Sequence, residues 1–200
     1  MAGLLANTSL HKLTLYSCCL YDSDVCMFTR WIQQSKTLYS LSASCTPDSV
    51  RAHFMSELAN CLQHSYTLTS VTILNSERSQ ADWQVIQGQL SRNASLVLRA
   101  THFAMGSKLK MCAAAFELVH WHPGVLRRLL QGADQDDDVR QKLAVSKKRL
   151  LTDFWQLAGV VKEDLCCHKR DDGKLQIDQL GFDAWMTLRK YLKVGDIADA

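Results

Sequence analysis

No stretch of this 200-residue chain approaches the roughly 20 consecutive apolar residues of a membrane helix, and no basic, then apolar, then small-residue signal peptide opens it. Neither charge sign dominates: 23 Lys and Arg stand against 20 Asp and Glu, with +1 on residues 1–100 and +2 on residues 101–200. A nucleic-acid surface needs a denser basic patch, so Lys147-Lys148-Arg149, with Arg140 and Lys142 upstream, reads as the solvated face of a helix. There is no Gly-x-Ser-x-Gly elbow, Walker loop or dinucleotide fingerprint, and none of the eight cysteines forms a Cys-x-x-Cys pair. Cys166, Cys167 and His168, with His120 and His122, supply zinc-ligand types, yet adjacent residues seldom point at one ion. The run Asp171 to Asp178 lacks the alternating oxygen ligands and closing Glu of a calcium loop and reads as a turn. The expectation is therefore a protein that is not an enzyme and takes no cofactor, metal, nucleic acid or membrane.

The eight cysteines do not suggest secreted bridges. Cys18-Cys19 and Cys166-Cys167 are adjacent pairs, and Cys61 and Cys112 fall on apolar helix faces, where a thiol packs as a small hydrophobe. Reduced thiols and a cytoplasmic location are expected. The Asn-x-Ser sequons at Asn7 and Asn93 sit in turns that explain them without a glycan.

What is present is one phrase said four times: an apolar residue, five mostly polar ones, Leu, then apolar positions three and five further on. It occurs at Leu4/Leu10/Leu13/Leu15, Ile32/Leu38/Leu41/Ala43 and Leu62/Leu68/Val71/Ile73, and fades at Leu90/Leu96 followed by Arg99 and Thr101. Its second Leu recurs after 28, 30 and 28 residues, a length that mixes a strand period with a helical one. The alternation after that Leu predicts a short parallel strand, with Lys12, Thr14 and Tyr16 facing away from the core. The same parity turns Ser40, Ser42 and Ser44 outward in the second copy, and Ser70, Thr72 and Leu74 in the third.

Asp24 to Gln34 and Asp48 to Gln63 carry apolar residues at helical spacing, with Asp24 and Asp48 as expected N-caps and Pro47 just before the second. The turns Asn7-Thr8-Ser9, Ser35-Lys36-Thr37, Ser65-Tyr66-Thr67 and Asn93-Ala94-Ser95 place a hydroxyl or amide where a helix-to-strand corner has backbone groups to satisfy. From about residue 102 the pattern turns helical. Stripes run through Leu109, Cys112, Phe116 and Val119, through Val125 to Leu130 after Pro123-Gly124, and from Val139 to Leu157 after the acidic run Asp134 to Asp138. Gly159 is expected to help end the last of these, and Leu180 to Leu192 forms a closing helix.

Over residues 4 to 101 the repeated phrase resembles the ribonuclease-inhibitor type of leucine-rich repeat, with Cys18 where that family often carries Asn or Cys after the strand; Thr46, Ser76 and Ala104 take that place later. The helical half, with Leu157-Ala158-Gly159-Val160-Val161 and a closing Trp-x-x-x-x-x-Tyr-Leu, resembles arthropod leucine-rich-repeat proteins given NOD-like-receptor names. The resemblance implies an α/β leucine-rich-repeat solenoid over residues 1–101, of about three full repeats and a degenerate fourth, closed by an α-helical cap over 102–200. The phrase begins almost at Met1 with nothing to shield its first core face, so the chain is expected either to self-associate or to end a longer protein.

The implied function is a non-catalytic protein–protein interaction module. Lys12, Thr14, Tyr16, Ser40, Ser42, Ser70, Thr72 and Leu74 line its concave face, and Tyr16 is its best anchor. Three settings are compatible with the resemblance: the sensing end of a NOD-like-receptor-type innate-immune protein, a regulator resembling the Ran GTPase-activating protein, or the substrate arm of a ubiquitin-ligase adaptor. The second is weakened because Ser17 to Ser23 and Ser44 to Ser49 contain no Arg to assist hydrolysis.

Overall fold

The structure, a computed structural model, describes residues 3, 7–19, 21–46, 48–73, 80–131, 136–161 and 181–198; side chains at 17–19, 45, 46, 48, 49, 80 and 182 fall outside the description. Its strands are β1 (Lys12–Cys19), β2 (Ser40–Thr46) and β3 (Ser70–Ile73). Its helices are α1 (Asp22–Gln34), α2 (Asp48–His64), α3 (Gln80–Ala104), α4 (Lys110–Val119), α5 (Pro123–Leu130), α6 (Asp136–Thr152), α7 (Phe154–Leu157) and α8 (Phe182–Arg189), followed by a 3-10 turn at Val194–Asp196. Two compact units result: Met1–Leu98 with Trp121–Arg128, and Arg99–His120 with Leu129–Ala200.

In the first unit the strands lie parallel in the order β1-β2-β3. Leu13, Leu41 and Val71 stand in one row and Leu15, Ala43 and Ile73 in the next. These rows join one core with Val25, Phe28 and Ile32 of α1 and Phe54, Leu58 and Leu62 of α2. Each helix buries residues three and four apart, as a one-sided stripe requires. The rings of Phe28 and Phe54 stack at 5.9 Å between centroids. Asp24 is not the N-cap expected of it: α1 starts at Asp22, and the Asp24 carboxylate accepts from the backbone N–H of Tyr21 at 3.1 Å.

Hydroxyls knit the corners together. Thr37 Oγ1 donates to the Leu10 carbonyl at 2.9 Å, and Thr67 Oγ1 donates to the Ser35 carbonyl at 2.7 Å.

The solenoid expectation is corrected by the fourth copy of the phrase. Residues 80–104 form one unbroken helix, and among the described residues the chain does not return to the sheet; the fold is mostly helical, with a small three-stranded parallel sheet. The cause lies in periodicity. Ile86, Asn93, Val97, Ala100 and Ala104 are buried with half-buried Leu90, at steps of three and four residues, whereas the strand reading would have pointed the exposed Arg99 into a core. The corner expected at Asn93-Ala94-Ser95 is also helical. Asn93 is fully buried, and its Nδ2 donates to the carbonyls of Ser65 at 3.0 Å and Leu68 at 2.8 Å. Arg92 beside it donates to the carbonyls of Leu62, Gln63 and Ser65 at 2.8 to 2.9 Å, closing the C-terminus of α2.

The second unit packs Phe103, Cys112, Phe116, Val119, Leu150, Phe154, Leu157 and Val194 into its interior. Glu117 ties its last segment: one carboxylate oxygen takes Arg189 at 2.5 Å, the other the Val194 N–H at 2.8 Å. Lys110 Nζ donates to the Ile197 carbonyl at 2.6 Å. Gly159, at φ +78°, turns the chain after α7 in a conformation that favours glycine. The acidic run is described only over Asp136–Asp138, in the first turn of α6, and the Cys166-Cys167-His168 and Asp171 to Asp178 readings lie outside the described residues.

Candidate interaction face

The sheet of the first unit has one face covered by α1 and α2, and strand alternation sends every second side chain to the other. Register then decides what meets there. Lys12 pairs with Ser40 and Ser40 with Ser70; Thr14 pairs with Ser42 and Ser42 with Thr72. Lys12, Thr14, Ser70 and Thr72 are exposed, while Ser40 and Ser42 on the central strand are half-buried. Tyr16 stands beyond these rows, where β1 holds one residue more than β2 between Leu15 and Cys18; it is 70% exposed at this bulge. Leu74 lies outside the described residues.

A third row escapes the simple parity. Leu38 and Leu41 are both buried three residues apart, so Tyr39 and Ser40 both turn away from the core between them. His11 and Thr69 hold the corresponding places on the neighbouring strands: the N–H groups of Tyr39 and Ser40 both reach the His11 carbonyl, and those of Thr69 and Ser70 both reach the Tyr39 carbonyl. Cations gather round the Tyr39 ring. Lys12 Nζ lies 5.8 Å and the Arg127 guanidinium 5.6 Å from its centroid, with the His11 ring at 6.1 Å.

The turn that leads into α5, which carries Arg127, is held by a clamp. The Gly124 N–H donates to His122 Nδ1 at 2.9 Å, so the proton of this imidazole sits on Nε2, which donates to the Thr67 carbonyl at 2.6 Å. His122 is buried, and burial pushes its pKa below the usual range; the Arg127 charge adds to this and the Thr67 carbonyl opposes it. Gly124 has no room for a side chain, because a Cβ would lie 2.9 Å from His122 Nδ1 and 3.0 Å from Val97 Cγ1. His120 sits at the end of α4, its Nδ1 3.2 Å from the Phe116 carbonyl, whereas His122 finds its partner 55 residues away in sequence.

The described carboxylates of this unit are placed elsewhere. They are Asp22 and Asp24 on α1, Glu57 on α2 and Asp82 on α3; Asp22 faces His53 at 3.0 Å. Cys61 is unreactive: burial, with Glu57 adding, pushes its thiol up to about 12, and the S–H donates to the Thr29 carbonyl. Among the described residues no three His, Cys, Asp or Glu side chains converge as a metal site would need, and no helix is long and apolar enough to cross a membrane. The face as built offers hydroxyls, an aromatic ring and cations to a partner.

No family model, curated protein or solved structure matches the chain.

Proposed function

We propose that the chain is a non-catalytic protein-binding module whose partner lies across the open face of the β1-β2-β3 sheet. The observation that carries this reading is the register, which sets Lys12, Thr14, Ser40, Ser42, Ser70 and Thr72 in two rows on one rigid surface, with exposed Tyr16 at its end. Size narrows the partner. Three strands about 4.8 Å apart, read over some five residues each, offer on the order of 200 Å², against about 800 Å² per side in a standard stable interface. A short extended segment fits such a face, and modest affinity follows.

The receptor, GTPase-regulator and adaptor settings all presuppose a solenoid, so the proposal stays at the level of a peptide-binding surface. Cys26, Cys61 and Cys112 are unbridged, which supports a reducing, cytoplasmic setting.

Peptides selected from a random library against the full chain test the reading. Thr72→Asp, at an exposed position of β3, is expected to change their Kd at least fivefold in either direction while leaving the melting temperature unaltered; Arg30→Asp on α1 is expected to do neither. Peptides indifferent to Thr72→Asp contradict it.

A further inference from the structure

We propose that the segment bound on this face is acidic, recognised by Lys12 of β1 and Arg127 of α5, which both stand beside the Tyr39 ring. The proposal rests on the sheet-face reading and adds its partner class. Two observations carry it. First, among the described residues of this unit the charges beside the Tyr39 ring are of one sign: Lys12 and Arg127 converge on it within 5.8 Å, and the described carboxylates stand on α1, α2 and α3. Second, the convergence is built. Arg127 comes from a segment distant in sequence whose entry turn is held by the His122–Thr67 hydrogen bond and the Gly124 contact, while the backbone at Lys12 is set by the register of β1 on β2. Each cation lies near the ring, whose negative face orients it and leaves ammonium or guanidinium N–H groups for a carboxylate. The serine and threonine rows alongside supply hydrogen bonds to the backbone of an extended segment. The face is too small for a second copy of the chain to bury a dimer-sized area, and two cations are too few for the phosphate contacts of a nucleic acid.

The test uses the full chain and three labelled probes followed by fluorescence anisotropy: an eight-residue peptide alternating Glu and Ser, its Gln and Ser counterpart, and an eight-nucleotide thymidine strand. The Glu peptide is expected to bind at least tenfold more tightly than the Gln peptide at low salt, with the gap closing at high salt. Lys12→Glu and Arg127→Glu, both exposed, are each expected to weaken the Glu peptide at least fivefold with unaltered melting temperature, and Lys12→Gln to weaken it less. Failure of the Glu peptide to bind, equal binding of the Glu and Gln peptides, or indifference to both charge reversals overturns the acidic assignment. Thymidine binding as tight as that of the Glu peptide, with the same response to the variants, also overturns it in favour of a general polyanion site. Neutral library peptides that still respond to Thr72→Asp would leave the binding face standing and remove only its acidic preference.

Discussion

His122 is the residue on which the face most depends, although it touches no expected partner. Its two ring nitrogens join a strand-entry carbonyl at Thr67 to the turn that starts α5. His122→Ala leaves a buried carbonyl and the Gly124 N–H without partners, and equilibrium denaturation should show a loss of about 1–3 kcal/mol. Gly124→Ala forces a Cβ against the imidazole and Val97, and a loss of about 1–3 kcal/mol is expected from overpacking. The clamp also sets a pH dependence. Burial holds the folded pKa of His122 below its ordinary 6.5, so the unfolded chain takes up the proton first on acidification. Its contribution is complete above about pH 6.5 and is lost as pH falls toward the folded value. His120, lowered chiefly by burial and then by Lys147, acts in the same direction. Stability measured between pH 7.5 and 5 should therefore fall, and His122→Gln, whose amide can make both hydrogen bonds without titrating, should flatten part of that fall. An unchanged slope would contradict the clamp.

At this scale the rows of Lys12, Thr14, Ser70 and Thr72 were legible, because a two-residue period states directly which side chains share a face. Tyr39, His122 and Arg127 were not. Tyr39 faces outward through a one-residue phase slip at the corner, visible only as two buried leucines three apart. No local signal links His122 to Thr67.

Elements are closed by side chains reaching across the sequence. Arg92 and Asn93 on α3 satisfy the last carbonyls of α2 and of the corner after it, so Arg92→Met should destabilise the chain by about 1–3 kcal/mol, as read from chemical denaturation. In the second unit, Glu117 and Arg189 are largely buried and mutually bonded. Removing one partner strands the other: Glu117→Ala should cost about 3–5 kcal/mol and release the segment around Val194 to hydrogen exchange. No such effect at Val194 would show that Glu117 does not hold this segment. The element that sequence reading missed is α3. Apolar residues three apart belong equally to the strand-entry phrase and to a helix, so the fourth copy was ambiguous on its leucines alone. Arg99 at an inward position resolves it toward the helix, because only helical spacing buries Ile86, Val97, Ala100 and Ala104 together and leaves Arg99 exposed.

For the whole molecule, the consequence is a binding surface of three strands among the described residues. These three strands offer far less than the area of a domain-sized interface, and the affinity expected of them is that of a peptide groove. The helical second unit was legible in its stripes, while the ties at Glu117 and Lys110 depend on partners more than 70 residues away and left no local trace. Mapping backbone amide shifts of the full chain by NMR on titration with a selected peptide tests the central claim most directly. The account predicts shifts at residues 11–16, 39–43 and 69–73 and at Arg127, with α1 and α2 unmoved; shifts confined to α1 and α2, or to the second unit, would contradict it.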